Sequence, residues 1–271
     1  MSNSLSYVTK GNQQHPVLVF LHGFTGSKKT WAPIMEHLST HFYCLAIDLI
    51  GHGESISPRD ITEYSTEKQV KQVMQVIDQV IGRHPFSLIG YSMGGRLALQ
   101  FALVNQSRMT ALILESASPG LEEQSERHIR KQADDELAQM IEEQGVHYFV
   151  DYWENIPLFR SQQQLSEVKR ASIRQERLAQ HPVGLANSLR GFGTGVMPSL
   201  WSKLSEIQLP TLLITGSLDK KFVRIANQMT EQLSQVTTVS VENVGHAIHV
   251  ENHTEFATIV EKFFLNLKEE K

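Results

Sequence analysis

The chain is poor in the features that would mark a membrane protein, a secreted scaffold or a nucleic-acid binder. Cys44 is the one cysteine among 271 residues, so no disulfide forms within the chain and no cysteine metal cluster is available. It lies in the apolar stretch 42–47 and reads as a buried bystander. No apolar run approaches the ~20 residues needed to span a bilayer. The opening stretch MSNSLSYVTKGNQQHP has no apolar core of the signal-peptide kind. Positive charge is not in excess either: the net charge of -4 argues against a nucleic-acid partner, which calls for a basic surplus. These absences lead to the expectation of a cytoplasmic protein, monomer or homodimer, acting on a small molecule.

What the sequence does contain is a series of short apolar, β-branched-rich runs. They are Val17–Leu21, Tyr43–Ile47, 86–89, 111–114, 211–214 and Val236–Val241, and most end in Gly, Asp or Glu. Near-continuous apolar strands alternating with helical patterns predict an α/β fold, a mostly parallel sheet covered on both faces. The spacing of Val70, Val73, Met74, Ile77 and Ile81 predicts a helix over 65–81; others are expected over 95–105, 222–233 and 254–267. Between residues 118 and 198 the strand signal fades into polar helical sequence. This predicts a helical lid over 118–198, inserted into a core made of 1–117 and 199–271, at the strand ends where such sheets bind ligands.

Gly90-Tyr91-Ser92-Met93-Gly94 follows a strand run and precedes a helical one. A serine on such a strand-to-helix turn is a candidate nucleophile, with small neighbours so that backbones can pass closely. A bystander serine in a glycine turn is the plainer reading, which the strand and helix on either side disfavour. Serine needs a base, and the base needs an orienting acid. His246, directly after Gly245 at the end of a strand run, is the expected base; His249 and His253 are assigned to its surroundings. Asp219, just after the strand at 211–214, is the expected acid, with Glu115 in reserve. No carboxylate cluster joins these histidines, so no metal is expected, and no cofactor. Donors for a developing oxyanion are expected from the N–H groups of Met93 and of Phe24, in the loop His22-Gly23-Phe24-Thr25-Gly26. His52, in Gly51-His52-Gly53, is read as structural.

The pieces L-H-G-F-T-G, D-L-I-G-H-G-E-S, G-Y-S-M-G-G and L-P-T-L-L-I-T-G-S-L-D resemble the α/β-hydrolase superfamily over nearly the whole chain. G-Y-S-M-G-G-R (90–96), E-S-A-S-P-G-L (115–121) and G-H-A-I-H-V-E-N are similar to one family within it. That family is 2-succinyl-6-hydroxy-2,4-cyclohexadiene-1-carboxylate synthase, the pyruvate-eliminating lyase of menaquinone biosynthesis. The resemblance implies Ser92, Asp219 and His246 as the triad, and Arg96, Arg130 and Arg174 as substrate-binding arginines. It also implies Tyr91 and Trp153 as pocket residues. Met197 departs from the glutamine expected there, and His253 from a frequent proline. The implied substrate is a polycarboxylate, which suits the distribution of arginine: 7 of the 12 fall within residues 119–197. For most of these a solvated, ion-paired helix surface is the simpler reading. Arg96 is different, because a lone charge beside Ser92 is costly without an anion. Two other functions fit the residues: a serine hydrolase for small acidic substrates, and a ligand-binding module without catalysis.

Overall fold

The structure, a computed structural model, describes residues 5–269. Seven strands form one sheet: β1 (Tyr7–Lys10), β2 (Val17–Leu21), β3 (Tyr43–Ile47), β4 (Phe86–Tyr91), β5 (Met109–Glu115), β6 (Thr211–Gly216) and β7 (Val236–Val241). Their spatial order is β1-β3-β2-β4-β5-β6-β7. All neighbours run parallel except β1, which pairs antiparallel with β3. β1 is absent from the strands expected above. Its Tyr-Val-Thr-Lys sequence is short and half exposed, as an edge strand allows.

Helices cover both faces, which is why the inner strands are apolar throughout. Val17, Val19 and Leu21 of β2 share a core with α2 (Thr66–Ile81), α3 (Met93–Asn105) and α7 (Lys220–Thr230). Leu18 and Phe20 face the other way, into a core with α1 (Ala32–Leu38) and α9 (His253–Glu269). The helix expected from residue 95 starts at Met93, directly after the serine, and the one expected from 222 starts at Lys220, capped by Asp219. His253 opens α9; proline suits such a position without being required there.

Between β5 and β6 lie α4 (Gln124–Trp153), α5 (Glu167–Leu178) and α6 (Pro182–Phe192). α4 breaks at Gly145, where φ is 84°. This insertion has a small core of its own, built from Ile141, Phe149, Val150, Leu185 and Leu189. After β2 the chain adds β3 on one side and β4 on the other. The loops leaving β2 and β4 therefore diverge and open a crevice at the carboxyl edge of the sheet. Among the described residues no helix is long and apolar enough to cross a membrane.

Candidate active site

Ser92 stands in that crevice, on a backbone that few residues adopt: φ 49°, ψ -105°. The turn is possible because Gly94 has no side chain; a Cβ there would lie 2.3 Å from the Leu21 carbonyl oxygen. Strain of this kind persists only where the surroundings impose it, and it presents the hydroxyl at the head of α3. His246 Nε2 lies 3.0 Å from Ser92 Oγ, and His246 Nδ1 lies 2.6 Å from Asp219 Oδ2. Asp219 Oδ1 also accepts the Phe222 N–H at 3.3 Å, so the acid doubles as the cap of α7. The imidazole is packed between the Phe222 ring (4.5 Å between centroids) and the Tyr91 ring (5.4 Å).

Met93 is the first residue of α3, so its N–H has no carbonyl one turn back. Among the described residues the Phe24 N–H has no backbone acceptor either. Both residues line the cavity that holds Ser92. His52 is buried against Phe24, with Nδ1 3.1 Å from the Ile50 carbonyl oxygen. Burial, and then the neighbouring His22, push its pKa down to about 3, so the ring is neutral packing material.

The reserve acid serves a different histidine. Glu115, at the end of β5, is wholly buried, and its Oε1 accepts the His249 N–H at 3.0 Å and lies 2.9 Å from His249 Nδ1. His249 Nε2 meets Thr30 Oγ1 at 3.0 Å, and its ring stacks on Trp31. Asp219, not Glu115, is the carboxylate at His246.

The main cavity, about 1060 Å³, lies between the sheet edge and the insertion. Ser92, His246, Tyr91, Arg96, Arg130 and Trp153 all line it. Arg96 Nη1 donates to Thr194 Oγ1 (2.6 Å) and to the Phe192 carbonyl (3.3 Å), and the guanidinium lies over the Phe192 ring. It also reaches Met197 Sδ at 3.5 Å, so the departure at position 197 does touch a site residue. Among the described residues no carboxylate pairs with Arg96. Burial, with Arg130 nearby, pulls its pKa down to about 10. Arg130 is held by Asp134, one helical turn on, at 2.9 Å. Asp134 is buried, and its carboxyl is pushed up by that burial in spite of Arg130.

Arg174 does not line this cavity. Its two amino groups are taken by Asp151 (2.5 Å) and Glu154 (2.6 Å) on the surface of the insertion. The residue that the sequence reading passed over is Arg177. It is 6% exposed, lies over the Phe159 ring and bonds the Gln162 side chain at 3.0 Å, with no carboxylate partner among the described residues. Burial lowers its pKa. It lines a smaller cavity of about 190 Å³, which shares Phe24, Tyr91 and Phe159 with the main one. One sequence signal was present: Arg177 stands four residues after Ile173, on the inward face of α5.

Known proteins share this arrangement of chain. Residues 16–253 match the alpha/beta hydrolase fold family. The 2-succinyl-6-hydroxy-2,4-cyclohexadiene-1-carboxylate synthase of Photorhabdus laumondii is 32% identical over 261 residues, 93% of this chain and 87% of that protein. A Bacillus subtilis protein provisionally given the same name is 44% identical over 258 residues, 95% of this chain and 93% of that one. The solved structure of MenH from S. aureus superposes with a TM-score of 0.92 at 39% identity, covering 97% of this chain and 98% of that one. The chain belongs to the α/β-hydrolase fold family and, within it, to the 2-succinyl-6-hydroxy-2,4-cyclohexadiene-1-carboxylate synthases.

Proposed function

We propose that the chain is a lyase of menaquinone biosynthesis. It would eliminate pyruvate from 2-succinyl-5-enolpyruvyl-6-hydroxy-3-cyclohexene-1-carboxylate, leaving 2-succinyl-6-hydroxy-2,4-cyclohexadiene-1-carboxylate. One observation carries this reading: Arg96, a guanidinium without a carboxylate partner among the described residues, faces the same cavity as the hydrogen-bonded Ser92, His246 and Asp219. A hydrolase of neutral esters has no use for that charge, whereas a substrate with three carboxylates does.

In the mechanism, His246 draws the proton of Ser92 and Ser92 takes the proton alpha to the succinyl ketone. The negative charge moves to the ketone oxygen, which the Phe24 and Met93 N–H groups stabilise. When the carbonyl re-forms, a ring double bond forms at the deprotonated carbon. The existing alkene shifts one bond along, and the bond to the enolpyruvyl oxygen breaks. The departing enolpyruvate takes up a proton and becomes pyruvate. Asp219 keeps Nδ1–H in place and stabilises the imidazolium. No acyl-enzyme forms and no water attacks. Arg96 and Arg130 hold substrate carboxylates, Tyr91 and Trp153 shape the pocket, and the insertion of residues 118–198 acts as a lid. Arg177, rather than Arg174, supplies the further cationic contact. The substrate given to the purified protein, with pyruvate followed continuously, tests the reading. Folded protein that releases none would leave ester or C–C bond hydrolysis as the use of this site.

A further inference from the structure

The loop that carries His246 is held from the insertion, through Glu251. This residue closes α8 (Ile248–Glu251), and its carboxylate points back along the loop. Oε2 accepts the Gly245 N–H at 2.8 Å, immediately before His246. Oε1 accepts the Ser161 hydroxyl at 3.0 Å. Ser161 belongs to the turn Pro157–Gln164 of the insertion, whose Phe159 ring is 6.3 Å from the His246 ring. Lys169, also on the insertion, donates to the Glu251 carbonyl at 3.5 Å.

Gly245 shows how tight this contact is. Its φ is not in the left-handed region, so its backbone does not call for glycine. A Cβ at that position would lie 1.9 Å from Ser161 Oγ and 3.0 Å from Glu251 Oε1. The glycine is needed so that the insertion can press against the loop. One carboxylate thus joins the residue before the histidine to the wall of the cavity.

We propose that Glu251 is a positioning residue. Through Gly245 it sets the placement of His246, and through Ser161 it makes that placement depend on how the insertion is seated. The inference rests on His246 being the base. A base works only within hydrogen-bond reach of its proton, and a displacement of about 1 Å can cost on the order of 100-fold.

Kinetics of pyruvate release by Glu251→Ala, Glu251→Gln, Ser161→Ala and the Ser161→Ala/Glu251→Ala double variant test it, beside His246→Ala. Glu251→Ala should lower kcat by about 10- to 100-fold with KM changed less than about twofold, the pattern of an interaction needed only at the transition state. Glu251→Gln should recover most of the loss, since its amide oxygen can accept from Gly245 and its amide N–H can donate to Ser161. Ser161→Ala should cost about fivefold, the worth of one hydrogen bond, and nothing more once Glu251 is alanine. Wild-type kcat in Glu251→Ala overturns the inference, as does a glutamine variant no better than the alanine one. Single losses that multiply in the double variant overturn the link to the insertion. Full turnover by His246→Ala would instead overturn the reading of His246 as base.

Discussion

Two histidines on one short segment each hold a buried carboxylate, yet only one of them lines the main cavity. His246 has Asp219 on Nδ1 and Ser92 on Nε2. His249 has Glu115 on Nδ1 and Thr30 on Nε2. Both rings are almost entirely buried. The difference lies beyond the second nitrogen. Ser92 lines the main cavity, on a strained turn at the head of a helix. Thr30 bonds His249, whose ring stacks on Trp31, and the two line the smaller cavity instead. A carboxylate–histidine pair becomes a base only when its far nitrogen meets a group that can reach substrate; otherwise it is a strut.

The largest expected effect comes from breaking the first pair. His246→Ala should lower kcat for pyruvate release by on the order of 10⁴-fold or more, while the denaturation midpoint moves little. Breaking the second pair should do the reverse. Glu115→Ala removes one partner of a buried pair, a loss of about 3–5 kcal/mol in stability, readable by urea unfolding, with kcat per folded molecule close to wild type. A Glu115→Ala protein that unfolds normally but has lost turnover would mean that the two pairs have exchanged roles.

Much of this arrangement was legible in the sequence, because three polar residues each lie within a few positions of the end of a strand run. Ser92, Asp219 and His246 then have to meet at one edge of a parallel sheet. The choice between Asp219 and Glu115 was harder. Both end strands, and only the packing of the last loop decides which histidine each one meets. β1 was missed because four half-exposed residues at a sheet edge carry no apolar pattern. Arg174 was named by the family resemblance, not by the pattern of α5. On α5 the two arginines stand three residues apart, and it is Arg177 that is buried.

The arginines repeat the contrast between committed and available groups. Arg174 is taken up by Asp151 and Glu154, while among the described residues no carboxylate pairs with Arg96 or Arg177. Arg96→Ala should therefore weaken pyruvate release by about 2–3 kcal/mol, the worth of a charge-assisted contact. A neutral ester, if the protein turns one over, should be affected far less. Arg174→Ala should stay within about 0–1 kcal/mol, as exposed ion pairs do. Equal losses from both variants would show that the cation matters for the insertion and not for the ligand.

The finest division between the two histidine pairs lies at Thr30. Thr30→Val keeps the shape of the side chain and deletes the hydrogen bond at His249 Nε2. If the second pair is only a strut, the protein should lose about 1 kcal/mol of stability and keep its kcat and its pH profile. Tyr91 stands between this ring and His246: the Tyr91 ring is 4.6 Å from His249 and 5.4 Å from His246. A shift in the pH profile would mean that charge on His249 is felt at His246 across that ring. The strut would then be an electrostatic part of the base, and the line between the two pairs would have to be drawn elsewhere.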